Sequence, residues 1–253
     1  MNSLEAAMRI LKLLDKRRRV LRVGEISRAL SLQKSTVSRL LRTLSEHEFL
    51  ERERDGQGYT VGRRVLALSD LYLAGHSLLD RVDAVLDALV EEFGFVGYAG
   101  VLSGVDIVIL RLKPGRYPLR FVQDVGQRVP AERTAIGRAL LARQPEPALR
   151  ASRAISTEEL AKIRRSGWAA IESAVIPGIA AVAAAVGDPA RNEALGFALS
   201  FPITATDELL RARMARRVRD EALDIGRHLG DPLWAEFVIA SQRRARKPQR
   251  AIA

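Results

Sequence analysis

The sequence predicts an α+β protein in two parts: a winged helix-turn-helix at the N-terminus and a larger domain built on an antiparallel sheet. Three observations predict it. Between residues 3 and 50 apolar residues recur at helical spacing, interrupted by two short breaks. A hairpin signal with alternating side chains follows at once. Beyond residue 77, short apolar runs separated by turns are framed by amphipathic helices instead of alternating with them, which favours α+β over a βαβ series. At 253 residues the chain is long for one small domain and comfortable for two, one of them large enough to enclose a ligand.

Residues 3–18 read as a first helix, with Ser3 as its cap, Leu4, Ala7, Met8, Leu11 and Leu14 on one face, and a charge run from Lys16 to Arg19 at its end. Val23–Leu30 is a second, brief helix with Ile26, Ala29 and Leu30 inward, and Ser31 and Leu32 make a tight turn. The stretch from Gln33 to Leu50 is the third helix. Val37, Leu40, Leu41 and Leu44 fall at i, i+3, i+4 and i+7, leaving Thr36, Ser38, Arg39, Arg42 and Thr43 outward with no acid before Glu46. Taken alone, that face fits a solvated helix as well as one that meets phosphate oxygens and base edges. As the second helix of a helix-turn-helix it is a recognition helix. Lys34, Ser35 and Thr36 at its start are then candidates for phosphate. Ser38, Arg39 and Arg42 are candidates for the groove, with Arg39 the favoured base contact.

The hairpin after it carries Arg52 and Arg54 alternating with Glu51 and Glu53, an Asp55-Gly56 turn, Gly58, and Tyr59 and Val61 on the return. Placed directly behind a recognition helix it reads as a wing, in which Arg52, Arg54 and Gln57 reach phosphates or the minor groove; a solvent-exposed hairpin is the plain alternative. Arg22 completes this candidate set. From Arg63 to about Ala74, Val65, Leu66, Leu68, Leu71 and Leu73 are apolar almost all round, more than a lone surface helix needs, so a linker that packs on its counterpart in a dimer is expected.

Residues 77–93 form a long amphipathic helix. Gly97–Leu102 and Ile107–Leu112 flank a Ser103-Gly104 turn; Leu119–Val125 is a further strand; Ala135–Ala142 is helical; Thr157–Arg165 is a helix opening on a threonine and two glutamates. Ile179–Val186 and Leu195–Phe201 are buried strands joined by Gly187-Asp188-Pro189, and Asp207–Gly230 is the last long helix. The expected domains are therefore 1–62, the winged helix-turn-helix; 63–76, the linker; 77–242, the second domain; and 243–253, a basic flexible tail.

Charge divides the same way. The net +11 is uneven: residues 1–64 hold 15 Lys/Arg against 8 Asp/Glu, residues 65–242 hold 21 against 22, and the tail holds five basic residues and no acid. A basic head on a near-neutral body suits a nucleic-acid-binding module attached to a sensing or assembly domain. Basic ends also serve solubility or an anionic membrane surface, but the tail, RRARKPQR, has no apolar face for lipid. No run reaches the length of a membrane span, and the N-terminus opens on an amphipathic pattern instead of a signal peptide, so the cytoplasm is expected.

Catalysis finds no support in the residues. There is no cysteine, hence no disulfide, thiolate zinc site or cysteine nucleophile. His47, His76 and His228 are far apart without metal-ligand spacing; Gly56-Gln57-Gly58 lies in the wing and lacks the third glycine of a phosphate loop; Ser103 and Ser200 have no neighbouring His-acid pattern. No cofactor and no metal is expected.

LEAAMRILKLL, VGEISRALSLQKSTVSRLLRTL and the YTVG that closes the hairpin resemble the winged-helix domain of the IclR family of bacterial transcription regulators. Downstream, VGQRVPAERTAIGRALLA and IRRSGWAAIESAVIPGIAAVAAAV resemble two further motifs of that family, in the family's order, so the resemblance covers most of the chain. It implies a GAF/profilin-like sensor domain with a central antiparallel sheet, and a dimer or dimer of dimers on double-stranded operator DNA of inverted-repeat form. It also implies a small organic effector, often an acid, bound through four places: the turn Thr134-Ala135-Ile136-Gly137, the segment Ile171–Ala174, the residue Ala181, and the strand carrying Ala198 and Ser200. This sequence departs from the pattern. Ile171 and Ala174 stand where relatives commonly carry acids, Ala181 where cysteine is common, Ala198 where a serine is frequent, and Glu132-Arg133 where a His-Ala pair is typical. A small carboxylate in such a pocket lacks hydrogen-bond partners. Two expectations follow: an apolar or aromatic effector whose polar end is fixed by Arg120, Glu132, Arg133 or Thr134, or a pocket that has filled in. Glu132 and Arg133 can also simply pair with each other.

Overall fold

The computed structural model describes residues 2–15, 18–54, 56–75, 77–117, 123–145, 155–172 and 174–246. The chain forms two compact units, Met1–His76 and Ser77–Ala253. Among the described residues no helix is long and apolar enough to cross a membrane.

The first unit runs α1 (Ser3–Leu11), α2 (Val23–Leu30), α3 (Lys34–Glu46), β1 (Leu50–Arg52), β2 (Tyr59–Val61) and α4 (Arg63–Ala74). From α1 its core takes Ala6, Ala7 and Ile10, whereas Leu4 and Met8, expected inward, are exposed, because the buried stripe of α1 lies one position round from the one the spacing suggested. Ala29 of α2, also expected inward, is exposed. Ile26 from α2 and Val37, Leu40, Leu41 and Leu44 from α3 are buried as the helical spacing selects, closed by Leu21, Leu50 and Tyr59. Emptying one such fully buried position, Leu41→Ala, costs roughly 2–5 kcal/mol. The turn between α2 and α3 is fixed by Ser31 in the left-handed region at φ 54° and by Ser27, whose hydroxyl donates to the Leu32 carbonyl at 2.6 Å. Strands β1 and β2 pair antiparallel, Leu50 opposite Val61, and Leu21 bridges Tyr59 on the far edge. Gly56 turns the hairpin at φ 72°; Asp55 lies outside the described residues.

Two boundaries differ from the sequence reading. The first helix ends at Leu11, not at 18, and Asn2 rather than Ser3 caps it, its Oδ1 accepting from Glu5 N at 2.7 Å. Beyond Leu11 the backbone tightens into i→i+3 bonds, and Asp15 accepts from Arg18 N at 2.7 Å, an Asp competing with the helix for backbone donors. The third helix ends at Glu46, because Glu48 adopts φ 62° and Phe49 N turns back to the Leu44 carbonyl.

The second unit opens with α5 (Ser77–Phe93) and holds a six-stranded antiparallel sheet: β3 (Val96–Ser103), β4 (Asp106–Lys113), β5 (Arg128–Pro130), β6 (Ala169–Glu172), β7 (Ile179–Asp188) and β8 (Glu193–Pro202), in the order β5-β4-β3-β8-β7-β6. The helices are α6 (Ala135–Leu141), α7 (Thr157–Ser166), α8 (Glu208–Leu229) and α9 (Pro232–Arg246). Strand alternation sorts them onto two faces. Gly97 faces α5, where an added Cβ would sit 2.9 Å from Val90 and 3.0 Å from Leu86. Its neighbours Val96 and Tyr98 face α6 and α7 in one core cluster with Ala183, Ala185 and Ala198. Small side chains let α6 approach: a Cβ on Gly196 would lie 2.8 Å from Ile136.

The strand expected at 119–125 is a correction. Residues 119–122 lie outside the described residues, 123–125 are not part of a strand, and the third strand is Arg128–Pro130, too short at an edge to show a period. Strand β6 and helix α9 are absent from the sequence reading. Ser156, not Thr157, caps α7, accepting from Glu159 N at 3.1 Å. The tail expected from 243 starts inside α9, which runs to Arg246; residues 247–253, and the side chains of Leu73 and 243–246, lie outside the described residues.

Candidate functional site

In the first unit the outward face of α3 and the wing border one open groove. Ser35, Ser38, Arg39 and Arg42 line it from α3, with Arg52 and Gln57 from the hairpin. The remaining candidates, Lys34, Thr36, Arg54 and Arg22, do not line it. Lys34 and Thr36 sit in the first turn of α3 beside Ser35. Gln33 caps that turn with no side-chain bond, and the first N–H to reach a helical acceptor is that of Val37. The three preceding N–H groups have no helical partner, which with the helix dipole makes an anion-accepting end. Arg22, exposed before α2, faces Glu25 at 3.8 Å.

The arginines of the groove are not equivalent. Arg42 lies 3.7 Å from Glu46, and Arg52 stacks over the Tyr59 ring at 5.6 Å. Arg39 is exposed and forms no ion pair or hydrogen bond with any described residue, so none of its five donors is committed to one of them. Gly62 secures the wing to what precedes it: a Cβ there would be 2.1 Å from the Glu48 carbonyl oxygen.

In the second unit a cavity of about 70 Å³ lies between the sheet, the start of α6 and the loop 174–178. Of the sequence candidates it gathers Arg133, Thr134, Ala135, Ile136, Ile171, Ala174, Ala181, Ala198 and Ser200. Gly137 does not line it: Gly137 is buried against Ala131, whose carbonyl oxygen would be 2.1 Å from an added Cβ. Arg120 lies outside the described residues. Tyr98, Ile107, Gln123, Val175, Ile176, Ile179 and Ala180 also line the cavity and went unread in the sequence. Tyr98 and Ile107 are inward positions of β3 and β4, so strand alternation carried a signal for them; nothing in the sequence pointed to Gln123.

Polar groups here are few, and two are already engaged. Thr134 caps α6, its Oγ1 accepting from Gly137 N at 2.9 Å. Arg133 does not pair with Glu132; it donates through Nε, at 3.1 Å, and through Nη2 to the Ala174 carbonyl, clasping the loop over the cavity. Burial, and secondarily the charge of Asp124, pushes the Tyr98 phenol up to about 12, so its hydroxyl stays a neutral donor at ordinary pH. Among the described residues no group of His, Asp and Glu could hold a metal, and His76 lies outside them.

A helix-turn-helix with arginines lining its groove and a small cavity on a separate sheet domain agree with the models of a known family. The IclR helix-turn-helix domain matches residues 3–54, and the bacterial transcriptional regulator IclR C-terminal domain matches residues 70–227. The chain belongs to the IclR family of transcriptional regulators. Among similar members, the glycerol operon regulatory protein of Streptomyces coelicolor is 32% identical over 246 residues, covering 90% of this chain and 96% of that one. The XynR regulator of Escherichia coli is 25% identical, covering 91% and 98%. The fold matches the IclR regulator of Alicyclobacillus acidocaldarius, with 24% identity, a TM-score of 0.74, and 88% and 97% of the two chains covered. It also matches an IclR homologue of Microbacterium hydrocarbonoxydans solved with 4-hydroxybenzoate, with 18% identity, a TM-score of 0.75, and 90% and 99% covered. Members of this IclR family are DNA-binding transcriptional regulators rather than enzymes, and so is this chain.

Proposed function

We propose that this IclR-family regulator acts in the cytoplasm as a repressor, binding an inverted-repeat operator as a homodimer or dimer of dimers, and that a small, largely apolar organic acid in the sensor cavity changes its DNA affinity. The observation that carries the effector part is the lining of the cavity, in which mostly alkyl side chains surround one cation, Arg133, which has no carboxylate partner among the described residues, and four neutral polar groups, Tyr98, Gln123, Thr134 and Ser200. An apolar body with a single acidic end fits that lining; a doubly polar acid does not. At about 70 Å³ the cavity as it stands holds a short aliphatic chain. A cavity of about 150 Å³ accepts benzene, so an aromatic acid needs more room. Release of Ala174 by Arg133 supplies it, the ligand carboxylate replacing the carbonyl as acceptor. The aromatic acid bound by the Microbacterium relative supports that class.

Self-association is supported by α4, which leaves Leu66 74% and Leu71 70% exposed, together with Leu68 and Tyr72, on one short helix. Two-fold symmetry in the protein then demands matching half-sites in the operator. Thermal melts with benzoate, 4-hydroxybenzoate, butyrate and glyoxylate test the effector class: stabilisation by the first three is expected, and a shift with glyoxylate alone overturns it. The small volume also favours a second reading, a sensor whose cavity has closed and that responds to no ligand, for which no acid of the panel shifts the melt.

A further inference from the structure

The second unit contains another cavity, on the opposite end of α6 from the first. Ala135 and Ile136 line the sensor cavity, whereas Ala139 and Ala142 line this one; on β7 the corresponding residues are Ala181 and Ala185. Its volume is about 230 Å³, above the roughly 150 Å³ that holds a benzene ring. We propose that it binds an aromatic monocarboxylate, at a site separate from the sensor cavity.

Its aromatic wall is fixed in place. Trp234 is buried and its indole N–H donates to the Ala185 carbonyl at 3.1 Å. The ring rests on Gly226, where a Cβ would approach Cδ1 to 2.4 Å. Phe237 meets Trp234 edge to face, centroids 5.2 Å apart. Such a corner receives a third ring at little ordering cost. Ala139, Ala142 and Ala185 leave the space that a ring fills.

Charge at the cavity selects an anion. Arg143 is neutralised by buried Asp231 at 2.8 Å, and the same carboxylate accepts from Gly187 N and Leu233 N. Arg164 is different. It donates Nε to the Ala142 carbonyl at 2.6 Å and Nη2 to the Gln144 carbonyl at 2.9 Å, and has no carboxylate partner among the described residues. These bonds fix the guanidinium at the C-terminal end of α6, where the helix carbonyls favour a cation, and leave it without a carboxylate among the described residues. Arg165 and Glu236 also line the cavity, and Arg164 is the cation there whose donors meet only backbone carbonyls among the described residues. A benzoate-sized ligand places its ring against Trp234 and Phe237 and its carboxylate on Arg164.

The chain has two tryptophans, so Trp168→Phe leaves Trp234 as the sole reporter. Titrating the full-length Trp168→Phe protein with benzoate should give a saturable change in Trp234 emission. The change should persist when Ala181→Leu fills the sensor cavity, disappear when Ala240→Phe fills the rim of this one, and need at least tenfold more benzoate in Arg164→Gln. Loss of the change in Ala181→Leu with retention in Ala240→Phe assigns benzoate to the sensor cavity and overturns the proposal, as does benzyl alcohol binding as tightly as benzoate. Equilibrium dialysis on Ala181→Leu with both tryptophans intact stands independently: one benzoate per chain is expected, and none overturns the site whether or not the sensor reading holds.

Discussion

The groove of the first unit and the body of the second use arginine in opposite ways, although Arg63 of the first unit is also engaged, on Glu48 at 2.7 Å. In the first, Arg39 stands exposed on α3 with no ion pair among the described residues, beside Arg42 and Arg52, whose partners are a surface glutamate and a ring. In the second, arginines are clasps: Arg133, itself exposed, on the Ala174 carbonyl, and the half-buried Arg138 on Glu159, Arg143 on Asp231 and Arg211 on Glu172. The difference fits the roles proposed for the two surfaces. A guanidinium left in water loses little when it meets a phosphate or a base edge, because its desolvation is partial and its donors are free. One that is half-buried and engaged stabilises a fold, and only a ligand offering a better acceptor can recruit it.

The sharpest way to break the comparison is Asp231→Ala. It strands Arg143, 14% exposed, against the end of β7 without its counter-charge. Removing one partner of a buried pair costs about 3–5 kcal/mol. Denaturant unfolding should show the second unit destabilised by that amount while Leu41 and its neighbours in the first unit unfold unchanged; equal destabilisation of both units refutes the separation. Asp231→Asn, which keeps acceptors for Gly187 and Leu233, should lose less.

Next in size is a pH effect confined to the sensor cavity. Tyr98 is raised in the folded state from 10.0 to about 12, so the native protein holds that proton more tightly than the unfolded chain. Its contribution is intact below pH 10 and is lost as pH climbs through 12, a loss of roughly 2–3 kcal/mol at one pKa unit per 1.36 kcal/mol. The stability difference between the protein and Tyr98→Phe, followed by unfolding over that window, should shrink or reverse by this amount. A constant difference denies the burial that defines the cavity.

How much of this was legible in the sequence follows the same division. The outward face of α3 could be read because helical spacing sorts Val37, Leu40, Leu41 and Leu44 from Ser38, Arg39 and Arg42 within one element. Pairing partners four residues apart and a hairpin turn are local facts. The sensor cavity is assembled from β3, β4, β7, β8, the start of α6 and a loop, so only residues flagged by family motifs were found, and Tyr98 and Gln123 were missed. Helix α9 went unread because its apolar residues, Trp234 and Phe237 among them, have meaning only against Gly226 and Gly167 on other elements. The Arg133–Ala174 clasp is likewise a contact across 41 positions to a backbone atom, and no side-chain pattern encodes it.

The first unit supplies the next prediction. Arg39→Ala should weaken operator binding by roughly 1–3 kcal/mol and relax preference at one base pair if the guanidinium reads a base edge. A phosphate contact predicts uniform weakening on all sequences and a shallower salt slope. Binding measured on operator and scrambled DNA across salt concentrations separates the two. No change on either DNA removes Arg39 from the interface, and with it the contrast between free and engaged arginines.

The smallest effect tests whether the sensor's polar groups serve structure or ligand. Thr134 lines the cavity, yet its hydroxyl accepts from Gly137 N and reaches the Ala131 carbonyl, at 2.9 and 3.3 Å. A side chain with both roles satisfied locally has little left for a ligand. Thr134→Ala should therefore lower the stability of the second unit by about 1 kcal/mol, the usual cost of a lost helix cap. It should leave the concentration of benzoate needed for half of any melt shift unchanged. Thr134→Ser keeps the oxygen and should restore stability. If Thr134→Ala instead abolishes the ligand response at unchanged stability, the hydroxyl binds the effector. The polar end of the cavity would then be the start of α6 rather than Arg133.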